Sequence, residues 1–170
     1  LTEQPPPNWV TEGEALRKYF PGGLDQPDQV TIAVVAAGAI PYFSELPAID
    51  MIGLTDAELA RHGDLIHYSS GISKPGHVRM AKFDYLRKRS VNLVIGIPVT
   101  VEPDELKDSY SIDDPIFFTL FHEATIGLQD LGPDPKLVAI PVDGRLMLAV
   151  YLTPHPSIER HIENGWRTVP

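Results

Sequence analysis

The chain has 170 residues and a mass of 18.8 kDa, the size of one domain, and 43% of its residues are hydrophobic, enough to form a core. Its 14 basic and 23 acidic residues give a formal net charge of −9, which argues against a broad nucleic-acid-binding surface or a patch for anionic membranes. Cysteine is absent, which excludes disulfides, thiolate metal sites and a cysteine nucleophile, and no apolar stretch reaches the ~20 residues that span a bilayer.

The first segment predicts a linker followed by a helix. Residues 1–8 include the consecutive prolines Pro5–Pro7, which are typical of a linker that enters a domain. We therefore expect either a domain of a longer protein or a chain trimmed at this end. Thr11 and Glu14 have the spacing of a capping box, which predicts a helix over about 11–20.

Three apolar runs predict buried strands. Val30–Ala36, Ala48–Ile52 and Asn92–Ile97 are short runs dominated by aliphatic residues. Such runs suit strands that are covered on both faces, as in a parallel sheet. Helices are expected between them, over about 56–62 and roughly 82–90.

The last third of the chain predicts a hairpin and a final helix. Leu137–Val142 and Arg145–Thr153 flank Asp143-Gly144, which is the strongest hairpin signal in the chain. Ser157 is expected to cap a helix over about 158–164.

These elements predict one α/β domain over residues 9–170. We expect a mixed, mostly parallel sheet that is flanked by helices and ends in a C-terminal β-hairpin. The acidic, turn-rich segment 102–115 predicts a surface loop, and Ile116–Phe121 is compatible with either a strand or a helix.

The turn after the first predicted strand, Ala36–Ile40, is the first candidate for a binding site. Ligands of open α/β sheets lie beyond the carboxyl ends of the strands, and Gly38 would let a ligand approach the backbone. The turn has one glycine where a dinucleotide-binding fingerprint needs three, and no helix is expected directly after it. A tight packing turn is therefore favoured over nucleotide binding.

Two carboxylates lie in or shortly after the second predicted strand. Asp50 lies in an apolar run, where a charge is costly unless it is hydrogen-bonded. It is expected either to accept N–H bonds from the Gly53–Asp56 turn or to contact a sugar or a base. Asp56 begins a helix, where a carboxylate interacts favourably with the helix dipole, so a structural role is expected for it.

A short loop supplies the remaining candidates. Lys74, His77 and Arg79 place three potential cations within six residues of an acidic chain. Such a loop is suited to hold a phosphate or a carboxylate, and a solvated turn is the alternative. The histidine spacings predict no metal site, no Gly-x-Ser-x-Gly motif is present, and no cofactor is expected.

Two adjoining segments resemble a known family. AGAIPYFS at 37–44 and PAIDMIGLTD at 47–56 are similar to part of the bacterial membrane glycosyltransferases of the GT-C type. These polytopic enzymes use polyprenyl-phosphate sugars and include arabinofuranosyltransferase-like and mannosyltransferase-like proteins. The similar part lies in their C-terminal extracytoplasmic soluble domain, and the resemblance covers roughly residues 9–97. The matching positions are Gly38, Tyr42, Asp50, Gly53, Leu54, Asp56 and His77.

The resemblance implies an accessory domain at the extracytoplasmic face of a bacterial membrane. Its partner would be the transmembrane part of the same polypeptide, and its ligand a glycan or a lipid-linked sugar, with no role for nucleic acid. The family's catalytic aspartates lie between its transmembrane helices, so no catalytic residue is carried over and no turnover is expected. The candidate ligand-binding residues are Gly38, Tyr42, Asp50, Asp56, Lys74, His77 and Arg79.

Two alternatives stay open at this point. The chain could be a free-standing carbohydrate- or ligand-binding module in which Tyr42, Phe43, Asp50 and His77 converge. It could also be a small independent enzyme that uses Asp50 or His77 as a general acid or base.

Overall fold

A computed structural model describes residues 8–35, 37–66, 78–120, 131 and 135–170. The helices in this part of the chain are α1 (Trp9–Tyr19), α2 (Ala39–Ser44), α3 (Ala57–His62), α4 (Phe83–Lys88), α5 (Pro115–Leu120) and α6 (Pro156–Glu163). The strands are β1 (Ile32–Val34), β2 (Ala48–Asp50), β3 (Asp64–Leu65), β4 (Arg79–Met80), β5 (Leu93–Val101), β6 (Leu137–Val142), β7 (Arg145–Tyr151) and β8 (Arg167–Val169).

Six of these strands form one mixed sheet, in the order β2-β1-β5-β7-β6-β8. The short strands β3 and β4 form a separate antiparallel pair. The predicted α/β class, with a mixed sheet, flanking helices and a hairpin near the C-terminus, is confirmed. The hairpin joins β6 to β7 through Asp143 and Gly144, and both have the positive φ angles that this two-residue turn requires, 48° and 82°.

The sheet is mostly antiparallel, whereas a mostly parallel sheet was expected. β1 pairs in parallel with β2 and with β5, whereas the other three pairings of the sheet are antiparallel. The apolar runs in the sequence reflect burial on both faces of the sheet. Because helices cover both faces, antiparallel strands such as β7 are as continuously apolar as the parallel ones.

The sheet separates two hydrophobic clusters. One cluster contains Leu16 of α1, Ile40 of α2 and Ile158 of α6, and we call this side of the sheet the α1 face. The other contains Leu59 of α3 and Leu86 of α4, and we call it the α3 face. Successive residues of β6 alternate between the two clusters, as the twofold period of a strand requires.

Helix α1 begins earlier than the sequence pattern predicted. Its N-cap is Asn8, whose side-chain oxygen accepts hydrogen bonds from the N–H groups of Val10 and Thr11, at 3.0 and 3.2 Å. The Thr11 hydroxyl accepts a bond from the Asn8 N–H in return, at 2.9 Å, which completes a capping box. Asn8 therefore belongs to the domain, and the rest of the predicted linker lies outside the described residues.

Helix α2 starts at Ala39, directly after Gly38, so the expectation that no helix follows this turn was wrong. The helix has only six residues, which is too short to show a helical period in the sequence. It crosses α1 closely at Gly13, where an added Cβ would lie 2.8 Å from the Cβ of Phe43 and 3.0 Å from the carbonyl oxygen of Ile40.

The C-terminal part also differs in detail. Helix α6 begins at Pro156 and is capped by His155, not by Ser157 as expected. The three-residue strand β8 follows it and pairs with β6, and no sequence pattern predicted it. Within the described residues, no helix is both long enough and apolar enough to cross a membrane.

Candidate functional site

Asp50 ends strand β2 and is only 2% exposed. Its Oδ1 accepts a hydrogen bond from the N–H of Ile52 at 3.1 Å. Its Oδ2 accepts bonds from the N–H and the hydroxyl of Thr55, at 2.7 and 3.2 Å. Of the two roles considered from the sequence, the geometry therefore favours the structural one, because the turn uses both carboxylate oxygens.

Asp56 is the N-cap of α3 and joins this helix to α4. Its Oδ1 accepts bonds from the N–H groups of Glu58 and Leu59, at 3.0 and 3.1 Å. Its Oδ2 accepts a bond from the Tyr85 hydroxyl at 2.8 Å and lies 3.5 Å from the Arg89 guanidinium. Burial by itself raises the pKa of Asp56, but the Leu59 N–H and the other donors hold it below its ordinary value.

The other predicted residues lie apart. Gly38 is the exposed N-cap of α2, and an added Cβ there would meet no atom within 4 Å. Tyr42 is 76% exposed and contacts Phe43 edge to face. Arg79 donates a hydrogen bond to the carbonyl oxygen of Gly63, which ties β4 to the end of α3. Lys74 and His77 lie outside the described residues.

The structure does not bring the described members of this set into one site. Tyr42 belongs to α2 on the α1 face, whereas Asp56 and Arg79 belong to elements on the α3 face. The sheet lies between them. A convergence of any of these residues with Lys74 or His77 stays a prediction.

A cleft lies elsewhere in the described part of the chain, between the end of α1, the loop 20–30 and α6. We call it the α1–α6 cleft, and its volume is about 600 Å³. It is at the amino ends of β1 and β2 and the carboxyl end of β7, opposite the edge that the sequence pointed to. Its walls are formed by Tyr19, Phe20, Pro21, Gly23, Gln26, Asp28, Gln29, Val30, Leu46, His155, Pro156, Ser157, Arg160, His161 and Asn164.

Aromatic rings fix one wall of the cleft. His161 stacks on Trp166 with ring centroids 4.6 Å apart, and Tyr19 and Phe20 contact this pair edge to face. The Tyr19 hydroxyl donates a hydrogen bond to the carbonyl oxygen of Pro141 at 3.0 Å. Since the Tyr19 carbonyl oxygen can only accept, the His161 Nε2 donates to it, at 2.9 Å. The end of α1 is therefore bonded both to the sheet and to α6.

His155 forms part of the opposite wall and is 7% exposed. Its Nδ1 accepts a hydrogen bond from the Ser157 N–H at 3.2 Å, so the ring proton lies on Nε2. This Nε2 is buried and has no hydrogen-bond partner among the described residues. Burial and the neighbouring Glu159 carboxylate raise the pKa of Tyr151 to about 12. The Tyr151 hydroxyl donates to Glu159 and accepts a hydrogen bond from the His155 N–H at 3.1 Å, which orients the His155 backbone.

Gln29 is the second unsatisfied group of the cleft. Its amide Nε2 is buried and has no hydrogen-bond partner in the described part of the chain. Near it, Asp28 and Arg160 give the lining one carboxylate and one guanidinium, and Arg160 donates a bond to the Ser157 hydroxyl at 3.0 Å. The lining of the cleft therefore combines aromatic side chains with residues that carry hydrogen-bond donors and acceptors.

Sequence reasoning missed this cleft for an identifiable reason. His155 and His161 were considered only as metal ligands, and the described residues contain no group of three side chains that could hold a metal. The order His155-Pro156-Ser157 carries a weak signal for the start of a helix. Proline favours the first position of a helix, and the polar residue directly before it can then be the N-cap. No local pattern, however, predicts that residues 19–30 face residues 155–164.

The fold and the cleft together define a small α/β domain with a candidate ligand-binding site at the amino edge of its parallel strands. A family model described as "Domain of unknown function (DUF8728)" matches residues 9–133, well over half of the chain, so the chain belongs to this family. The matched part contains α1 and the loop 20–30 but ends before α6, which supplies the other wall. Searches of curated proteins and of solved structures found no significant match.

Proposed function

We propose that this chain is a carbohydrate-binding domain without turnover of its own. It would act as the extracytoplasmic accessory domain of a membrane glycosyltransferase that uses polyprenyl-phosphate sugars. The glycan would lie in the α1–α6 cleft.

The observation that carries the proposal is the composition of the cleft walls. A sugar ring has apolar C–H faces that pack on aromatic rings, and hydroxyl groups that both donate and accept hydrogen bonds. The cleft presents Tyr19 and Phe20 on one side and His155, Gln29 and Asp28 around them. Its volume of about 600 Å³ lies within the range of small-molecule sites, about 300–1,000 Å³.

The resemblance to the GT-C enzymes supports the membrane context of the proposal. Its matching residues Asp50, Gly53 and Asp56 all build the turn between β2 and α3 in this structure. Gly53 has a φ of +75°, and an added Cβ would lie 2.8 Å from the N of Ala60, so glycine is needed there. These positions therefore maintain the fold, and the ligand contacts are assigned to the cleft.

A titration followed by protein NMR tests the glycan site. Methyl glycosides of arabinose, mannose and glucose are added to the labelled domain, and the perturbed amide signals are mapped. We expect the perturbed signals to lie on residues 19–30 and 155–164. Gln29→Ala should weaken binding, whereas Tyr42→Ala, a truncation of an exposed ring on α2 that does not line the cleft, should leave it unchanged. Binding that disappears in the Tyr42 variant would place the site on α2, outside the cleft, and contradict the proposal.

The membrane context has a separate test. The reading frame that encodes this chain is sequenced upstream of Leu1. Several hydrophobic helices encoded there would support an accessory domain of a membrane enzyme. A start codon or a cleaved signal sequence immediately before Leu1 would contradict that part of the proposal and leave a free-standing binding module.

A further inference from the structure

We infer that an exposed aromatic surface on α1 and α2 rests on the headgroup region of a zwitterionic lipid bilayer. We call this surface the aromatic patch and define it by Trp9, Val10, Tyr42 and Phe43. The inference rests on the proposed function, because that function places the domain beside a membrane. It goes further by naming the surface that contacts the lipid and the class of lipid.

The four members of the aromatic patch lie side by side where α1 crosses α2. Phe43 packs over Gly13, since a Cβ added at Gly13 would lie 2.8 Å from the Phe43 Cβ. Trp9 and Val10 precede Gly13 by four and three residues, the two spacings that make residues neighbours on the surface of one helix. Tyr42 contacts the Phe43 ring edge to face, with ring centroids 5.1 Å apart. The patch is therefore contiguous across both helices.

Solvent reaches this patch although its side chains are large and apolar. Tyr42 is 76% exposed, Trp9 is 47% exposed and Val10 is 36% exposed. The exposed large hydrophobic residues elsewhere in the described chain are aliphatic, such as Leu24 on the loop 20–30. A single exposed leucine is ordinary on a protein surface, whereas a contiguous apolar patch indicates an interaction.

The aromatic residue types of the patch favour a bilayer surface. Trp and Tyr each combine an apolar ring with one polar group, an N–H or an O–H. They are enriched where the hydrocarbon of a membrane meets its hydrated headgroups, because the ring leaves water there while the polar group keeps its hydrogen bonds. Trp9 and Tyr42 are the exposed members of the patch with this character.

The charges of the chain favour a zwitterionic lipid over an anionic one. None of the four patch residues is charged, and the net charge of −9 repels an anionic surface. Arg17, one helical turn after Gly13, lies 2.8 Å from a carboxylate oxygen of Glu45, so its charge is offset beside the patch. A contact made by uncharged rings should also depend little on ionic strength.

The position of the patch in the chain supports a membrane as its partner. The described residues begin with Asn8, the N-cap of α1, and Trp9 follows it directly. In the proposed enzyme, the membrane-spanning part precedes this domain, so the chain enters the domain beside Trp9. Along the chain, this end of the patch is therefore the part of the domain nearest to the bilayer.

The patch and the α1–α6 cleft are separate surfaces. The cleft lies at the other end of α1, and none of the four patch residues lines it. Lipid contact at the patch and glycan binding in the cleft can therefore be measured independently on the same protein.

Vesicles of phosphatidylcholine test the inference. The chain has two tryptophans, and Trp166 is 7% exposed and stacked on His161, so Trp9 is the one that can report lipid contact. We expect the tryptophan emission to shift to shorter wavelength as lipid is added up to about 10 mM, and to be quenched by brominated acyl chains. Trp9→Phe should remove the shift, because Trp166 stays buried.

Matched substitutions identify the surface that binds. Trp9→Ser and Tyr42→Ser each remove an exposed ring of the patch, and together they should lower the vesicle partition coefficient at least about tenfold. Leu24→Ser removes a side chain that is 70% exposed outside the patch, so it is the control and should leave the coefficient unchanged. Thermal midpoints show whether each variant folds. If Trp9→Ser unfolds the domain, Tyr42→Ser alone decides, and it should still lower the coefficient.

Three results would overturn the lipid assignment. The first is the absence of both the spectral shift and vesicle flotation at about 10 mM phosphatidylcholine. The second is binding to phosphatidylserine vesicles alone, or an equal loss of binding in Leu24→Ser. The third is a concentration-dependent dimer that Tyr42→Ser abolishes, which would assign the patch to a second copy of the chain.

The failure of this inference and the failure of the proposed function are distinguishable. Absence of vesicle binding leaves the glycan titration and the upstream reading frame to decide the proposed function. Vesicle binding by the patch, combined with a start codon directly before Leu1, would keep the lipid assignment and overturn the membrane enzyme.

Discussion

Two carboxylates at the carboxyl edge of the sheet and two side chains of the α1–α6 cleft differ in how far their polar atoms are hydrogen-bonded. At the carboxyl edge, Asp50 and Asp56 accept hydrogen bonds on all four of their carboxylate oxygens. At the amino edge, the Nε2 atoms of His155 and Gln29 are buried and have no hydrogen-bond partner among the described residues. Buried polar groups in folded proteins are normally paired, so the described unpaired atoms, which also include Nε of Arg145 beside the end of β5, are exceptions to that rule.

The same comparison separates residues that maintain the fold from residues available to a ligand. Asp50 attracts attention in the sequence because it is a charge in an apolar strand. The structure shows that the turn after the strand uses this charge fully. His155 attracted less attention, although its buried Nε2 has no hydrogen-bond partner in the described part of the chain. Residue type indicates polarity, and only the three-dimensional contacts tell which polar group is still unsatisfied.

Removing the Asp50 carboxylate should have the largest effect on stability. Asp50→Ala leaves the N–H groups of Ile52 and Thr55 without their acceptor inside the protein. We expect the free energy of unfolding to fall by about 3 kcal/mol in a urea titration. Asp50→Asn keeps one acceptor oxygen and should lose less. A change in the free energy of unfolding below about 0.5 kcal/mol would mean that Asp50 does not accept the hydrogen bonds described.

Glu12 provides a pH test, because it is a buried carboxyl group without a full set of partners. It is 4% exposed on the α1 face, its Oε2 has no hydrogen-bond partner among the described residues, and burial raises its pKa to about 7. The folded state therefore holds the proton more tightly than the unfolded chain, whose pKa for this group is 4.5. The contribution to stability is complete below pH 4.5 and is lost as the pH rises to about 7, by about 3 kcal/mol in total.

Glu12→Gln is the matched variant for this measurement. Urea titrations at several pH values should show that the variant loses this fall in stability with rising pH while the parent keeps it. An identical pH profile for both proteins would show that Glu12 does not titrate in this range.

Asp56→Ala should have an intermediate effect. The substitution removes the N-cap of α3 and the acceptor of the Tyr85 hydroxyl, so we expect a loss of about 1–2 kcal/mol in urea titrations. Because the pKa of Asp56 is lowered from 3.8, its contribution is present above that value and is lost as the pH falls below it. If acidification lowered the free energy of unfolding equally in the variant and the parent, the result would argue against these hydrogen bonds of Asp56.

The cap of α6 should give the smallest effect. His155→Ala removes the acceptor of the Ser157 N–H and should cost about 1 kcal/mol in thermal or urea unfolding. His155→Asn, which restores a capping oxygen, should stay within about 0.5 kcal/mol of the parent. If both variants lost the same stability, the ring would contribute by packing and not by capping.

Sequence predicted those parts of the fold that are set by neighbouring residues. Asp143-Gly144 specified the hairpin because its backbone angles are unusual and local. Strand β8 was not predicted because three residues are too few to show the twofold period of a strand. Helix α2 was not predicted because its six residues are too few to show a helical period. The strand directions could not be predicted, since two-sided burial produces the same apolar run in either direction.

The candidate site was less accessible to sequence reasoning than the fold. The contact between Tyr19 and His161 joins residues 142 positions apart, and no local rule predicts such a pairing. Asp50 was considered because it is a charge in an apolar strand and Asp56 because it begins a helix, and the sequence left both a structural and a functional role open for Asp50. The structure favours the structural role for it and points to a cleft formed by distant segments.

Helix α1 has one further consequence for binding. It is held near its start by the close crossing with α2 at Gly13, and at its end by the bonds of Tyr19 to Pro141 and His161. An 11-residue helix fixed at both ends loses little conformational entropy when a ligand settles against it. Affinity for even a small sugar would then be set mainly by the contacts themselves, because this wall is ordered before the ligand arrives.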